Sequence, residues 1–193
     1  MKFAHSALAA ALGLAFAGAA FAQAGTVQRD VNQQQRIEQG LQSGQLNTRE
    51  AARLQREEAR VERDQARAMQ DGKLSPAEKA RLAREQNRVS RDIYREKHDA
   101  QTGNPSSASS QRMQADVQRN INQQQRIEQG VQSGSLTNRE AAHLERGEAR
   151  IDQAEARAGA DGHVTKKEQQ RVQKRENHES RDIHREKHDR QHR

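Results

Sequence analysis

The chain says the same thing twice. The letters NQQQRIEQG at positions 32–40 return unchanged at 122–130, and SRDIxREKHD at 90–99 returns at 180–189. Both pairs are 90 positions apart, so the chain is a tandem duplication, and any local structure that one copy specifies the other specifies too.

A shorter unit sits inside each copy. GQLNTRE begins at Gly44, GKLSPAE at Gly72, GSLTNRE at Gly134 and GHVTKKE at Gly162. Each reads as a joint between helices. The glycine supplies the left-handed backbone that ends one helix. Asn47, Ser75, Thr137 and Thr165 then cap the next, and Glu50, Glu78, Glu140 and Glu168, three residues on, complete capping boxes. Pro76 falls at a first helical position, where its missing N–H costs nothing. The joints predict helices over 27–42, 47–70 and 75–98 and again over 113–132, 137–160 and 165–188. The stretch AQTGNPSSASS at 100–110 has the composition of a flexible linker. The expected organisation is therefore a segment 1–22, a three-helix module 23–99, the linker 100–110 and a second module 111–193, all α.

On the middle helix of each module the apolar residues are few and small. Leu54 and Val61 lie seven apart, as do Ala52, Ala59 and Ala66, and the second copy answers with Leu144, Ile151, Ala142, Ala149 and Ala156. This is a narrow, alanine-rich seam of coiled-coil type. Two replacements, Val89 by Glu179 and Met69 by Gly159, predict looser packing in the second module. Carboxylates elsewhere have Arg or Lys three or four residues away, the pattern of solvated ion pairs.

Residues 1–22 have the plan of an export signal: Lys2, an apolar run over 7–20 too short to span a bilayer, and Ala20-Phe21-Ala22 as a small-x-small cleavage site. Cleavage after Ala22 is expected, with a periplasmic or secreted, non-membrane-spanning product. All three Phe fall in this segment, and the chain has no Cys and no Trp. Beyond it, 33 basic residues face 27 acidic ones, a net charge of +6. Apolar content there falls to about a quarter, against the ~45–50% usual for a globular domain. So basic an exported chain would meet envelope proteins or an anionic surface such as lipopolysaccharide or anionic lipid, and no nucleic acid. Modules this poor in apolar residues also gain from burying their seams in a homo-oligomer.

Two motifs carry possible metal chemistry. His184, His188 and His192 are spaced to share one helical face, with His178 just before them, and imidazoles so placed suit Zn²⁺, Ni²⁺ or Cu²⁺. The turns DGKLSPAE and DGHVTKKE resemble the back half of an EF-hand calcium loop, with Asp71, Ser75 and Glu78, or Asp161, Thr165 and Glu168, as ligands. The two leading ligand positions would fall on Arg67 and Met69, or Arg157 and Gly159, none of which offers a side-chain oxygen. No cofactor is required by anything in the chain.

The pentapeptides LNTRE, LSPAE, LTNRE and VTKKE at these joints resemble an LTxxQ motif with Glu in place of Gln. That motif marks the small helical periplasmic stress proteins of the Spy and CpxP kind. The resemblance implies binding of unfolded or metal-stressed envelope proteins on a helical, mixed-charge surface. There is no nucleophile elbow, phosphate-binding glycine loop or Cys-His pair, so no enzyme is expected. The reading is a non-enzymatic, protein-binding or chaperone-like envelope protein. A divalent-metal binder and a structural spacer stay open as alternatives.

Overall fold

A computed structural model describes residues 13–189, and this part of the chain is all α, without strands. In chain order the helices are α1 (Gly13–Ser43), α2 (Thr48–Ala68), α3 (Pro76–Lys97), α4 (Ala108–Ser133), α5 (Asn138–Ala158) and α6 (Lys166–Lys187). No helix among the described residues is long and apolar enough to cross a membrane. Residues 1–12 of the expected signal segment lie outside the described part. From Gly13 on, α1 runs without a break through the expected cleavage site.

The joints form as their sequences require. Asn47, Ser75, Thr137 and Thr165 each accept the N–H of the Glu three residues later, and each Glu returns a carboxylate to the cap's own N–H. Gly44, Gly72, Gly134 and Gly162 all have φ between 76° and 90°, in the left-handed region. The glycine closing NQQQRIEQG has a different job. A Cβ on Gly40 or Gly130 would come 2.5 Å from Cδ1 of Leu46 or Leu136, which fold back over the helix end.

The identical segments make the same contacts in both halves. Arg36 donates to Oγ and O of Ser90, and Arg126 does the same to Ser180, in both cases at 2.7 and 3.1 Å. Gln33 donates to the Gln86 carbonyl and Gln123 to that of Glu176. The shared letters thus serve as the same internal contacts made twice.

The two halves pack against each other along their length. Helices α1 and α4 lie side by side, as do α2 and α5. Both pairs are antiparallel: a Cβ on Gly159 would meet Ala52, Gln55 bonds Glu155, Gln114 reaches the Leu41 carbonyl, and Val27 clusters with Val131. One apolar cluster runs through both halves, with Ile37, Leu54 and Ile93 from the first and Met113, Val117 and Ile151 from the second.

Within the 100–110 stretch expected as a flexible linker, the chain makes specific contacts. The Gly103 N–H donates to the Gly44 carbonyl at 2.8 Å, and Ser107 caps α4, whose first turn takes in residues 108–110. Helix α4 therefore starts five residues before the expected 113, because Ser107 accepts the Ser110 N–H and caps it there.

The second half is filled where looser packing was expected. Met113 Cε lies 2.6 Å from where a Cβ of Gly159 would be. Glu179 lies over Gly147, whose counterpart in the first half is Glu57. A Glu–Val pair (Glu57 and Val89) has become a Gly–Glu pair (Gly147 and Glu179), so side-chain volume moved from one helix to its neighbour.

Candidate functional site

The seam between α2 and α5 is where this fold departs most from an ordinary core. On α2, Leu54, Glu58, Val61 and Gln65 form one ladder of helical neighbours, and all are buried, with Gln55 and Glu62 beside them. On α5 the matching face carries Leu144, Glu148, Ile151 and Glu155, again all buried, with Glu145 and Asp152 beside them. Among the described residues no Lys or Arg is buried, so every buried charged side chain is acidic. The expectation of solvated ion pairs fails for these carboxylates.

Amides meet part of the demand. Gln34 donates to Asp152 at 3.2 Å, Gln55 to Glu155 at 2.8 Å and to Gln34 at 2.9 Å, and Asn120 to the other oxygen of Asp152. Gln124 donates to Glu62, which couples α4 to α2. Near one end of the seam, Asp30 accepts from Gln65 at 2.6 Å and from Gln86 at 2.7 Å, tying α1, α2 and α3 together.

The amides do not suffice. Both carboxyl oxygens of Glu58, Glu145 and Glu148 are buried without a hydrogen-bond partner, as is one oxygen each of Glu62 and Glu155. An unpaired buried polar group costs ~1–3 kcal/mol, and more if charged. Burial therefore favours the protonated form of these acids. Burial pushes Asp152 up to about 8, against the pull of its hydrogen bonds from Asn120, Glu62 and Gln34. Burial likewise carries Asp30 to about 7, opposed by Gln65 and Gln86. Glu58, Glu62, Glu145, Glu148 and Glu155 lie well above the usual carboxylate range, first through burial and then through the neighbouring acids. Around the seam, burial also raises Asp116 to about 7, Glu176 to about 8 and Glu179 to about 7.

The sequence-predicted metal residues lie elsewhere. The His184 and His188 rings lie one against the other, centroids 4.2 Å apart, and His188 Nδ1 is 2.7 Å from the His184 carbonyl. Tyr94 and His98 stack in the same way at the corresponding place in the first half. His178 Nε2 is 3.4 Å from Asp182, and His192 lies outside the described residues. In the Asp-Gly turns, Asp71 accepts the Lys73 N–H and Asp161 the His163 N–H, both at 2.9 Å. Glu78 takes the N–H and hydroxyl of Ser75, and Glu168 those of Thr165. These oxygens are held by their own turns.

Comparison with protein-family models, with curated proteins and with solved structures gives no match. The seam was missed in the sequence, although a signal for it was present. Glu58 follows Leu54 by four residues and Gln65 follows Val61 by four, which puts both on the apolar ladder rather than opposite it.

Proposed function

We propose that this chain is a non-enzymatic, chaperone-like protein of the bacterial envelope, whose client-binding faces are sheltered in the closed bundle and freed when its halves part. The observation that carries the reading is the α2–α5 seam, built of carboxylic acids and amides where a permanent core would have apolar side chains. Such a seam is held together only while its acids keep their protons. As the pH rises, ionisation of neighbouring buried acids becomes favourable, and like charges in contact push the helices apart. Each parted helix offers a strip of Leu, Ile, Val and Ala flanked by Glu, Gln and Arg. This surface suits an unfolded polypeptide of mixed character, in keeping with the LTxxQ-like joints and the export-type leader.

The test is light scattering from a reduced, unfolding client protein, with the purified chain at equimolar ratio, at pH 5 and pH 7.5. Aggregation should be slowed at pH 7.5 and much less at pH 5, with the client's own rate measured at each pH. A chain that leaves aggregation unchanged at both values refutes the reading.

A further inference from the structure

Away from the seam, two groups of three carboxylates lie at positions 90 apart. Glu50, Glu96 and Asp99 bring one oxygen each within 4.8 Å of one another, and Glu140, Glu186 and Asp189 do the same in the second half. Each group joins the first turn of one helix (α2 or α5) to the last turn and exit of another (α3 or α6).

We propose that these are two hard-cation sites for a divalent ion of calcium size. Three carboxylate oxygens this close repel one another, and a cation coordinated among them would offset that more fully than the arginines beside Glu96 and Glu186. Ca²⁺ takes oxygen ligands at 2.3–2.6 Å, so two oxygens on one ion can stand up to ~4.8 Å apart. The second observation is the state of the capping glutamates. Glu50 and Glu140 each give one oxygen to the capping box, through the N–H of Asn47 at 2.9 Å and of Thr137 at 2.7 Å. The other oxygen of each, Oε1, is buried without a partner in residues only 4% and 8% exposed. A glutamate present only as a cap would leave that oxygen in water. Glu96 is also buried, and the C-terminal ends of α3 and α6 add their partial negative charge, which favours a cation.

The two sites differ in their competing charges. Glu96 is paired with Arg53, and Arg95 stands 3.9 Å from its other oxygen. The counterpart of Arg53 in the second half is His143, and among the described residues Arg185 approaches Glu186 at 3.4 Å. The second site is therefore the tighter. The Arg53–Glu96 pair joins a half-exposed arginine to a buried carboxylate, and at ~1 kcal/mol it makes the difference about fivefold. Asp99 also accepts the Gln101 N–H at 2.8 Å, leaving its second oxygen for the ion.

This inference does not rest on the client-binding reading. It is tested by isothermal titration of CaCl₂ into the purified full chain at pH 7.5. Two ions per chain are expected, with unequal affinities. Asp99→Asn should remove the weaker site alone and Asp189→Asn the tighter alone. Both changes keep the side chain's size, and circular dichroism checks that the helices persist. Arg53→His, which frees the ligand Glu96 from its competing arginine, should tighten the weaker site about fivefold. Absence of binding at millimolar Ca²⁺ would overturn the proposal. So would binding that survives both Asn variants, or that is lost on Glu78→Gln and Glu168→Gln, which would place the ions in the Asp-Gly turns.

Discussion

Glu58→Met should stabilise the protein, and by an amount that depends on pH. Glu58 is fully buried on the α2 face of the seam, both oxygens lack partners, and Asp30, Asp152 and Glu57 are its acidic neighbours. In the unfolded chain its ordinary value is 4.5, and in the fold burial lifts it well above that. As the pH rises past 4.5 the unfolded carboxyl ionises first, while burial favours the protonated form in the fold. The folded state thus binds more protons, and stability falls as pH rises. Holding that proton above its ordinary range therefore costs stability, and the cost grows as the pH rises past 4.5. At pH 4 both states are protonated and only the unpaired acid remains, at ~1–3 kcal/mol. Methionine has nearly the same length and volume and no such demand. Urea unfolding followed by helical circular dichroism at pH 4, 5.5 and 7 measures the gain. It should be ~1–3 kcal/mol at pH 4 and grow steadily from pH 4 to pH 7. A gain equal at all three values, or a loss at pH 7, would refute the idea that this acid is buried and protonated.

Two further substitutions probe the packing. Gly147→Ala puts a Cβ 1.8 Å from Glu179 Oε2 and should lower stability by ~1–3 kcal/mol. Gly147→Ala combined with Glu179→Val, the residue found at Val89 in the first half, should recover most of that loss in the same urea assay. Removing one cap, Thr137→Ala, should cost ~1 kcal/mol, visible as a lower thermal midpoint, because the Glu140 N–H loses its acceptor.

The helices were legible in the sequence because their ends are written in short-range chemistry. Gly-x-Leu/Val, a small polar cap and Glu three residues on fix a joint whatever surrounds it, and the observed starts fall within one residue of expectation at all four joints. The start of α4 was not legible, since Ser107 has no glutamate three residues on and sits in a run of small polar letters. The pairing of α2 with α5 was out of reach for a different reason. A ladder such as Leu54, Glu58, Val61 and Gln65 looks like an amphipathic helix with a ragged edge until a second ladder of the same kind lies against it. The Glu50, Glu96 and Asp99 group was hidden in the same way, because its members stand 46 and 3 positions apart and only the return of α3 brings them together.

The central claim, that protonation holds the halves together, is tested most directly by a distance. The chain has no cysteine, so Arg60→Cys on α2 and Arg150→Cys on α5, both exposed, can carry a unique pair of spin labels. Pulsed dipolar spectroscopy from pH 5 to pH 8 reads the separation of the two helices. The account predicts one narrow distance at pH 5 that lengthens and broadens as the pH rises through 7, with Glu58→Met shifting the change to higher pH. A distance that stays narrow and unchanged to pH 8 would contradict it.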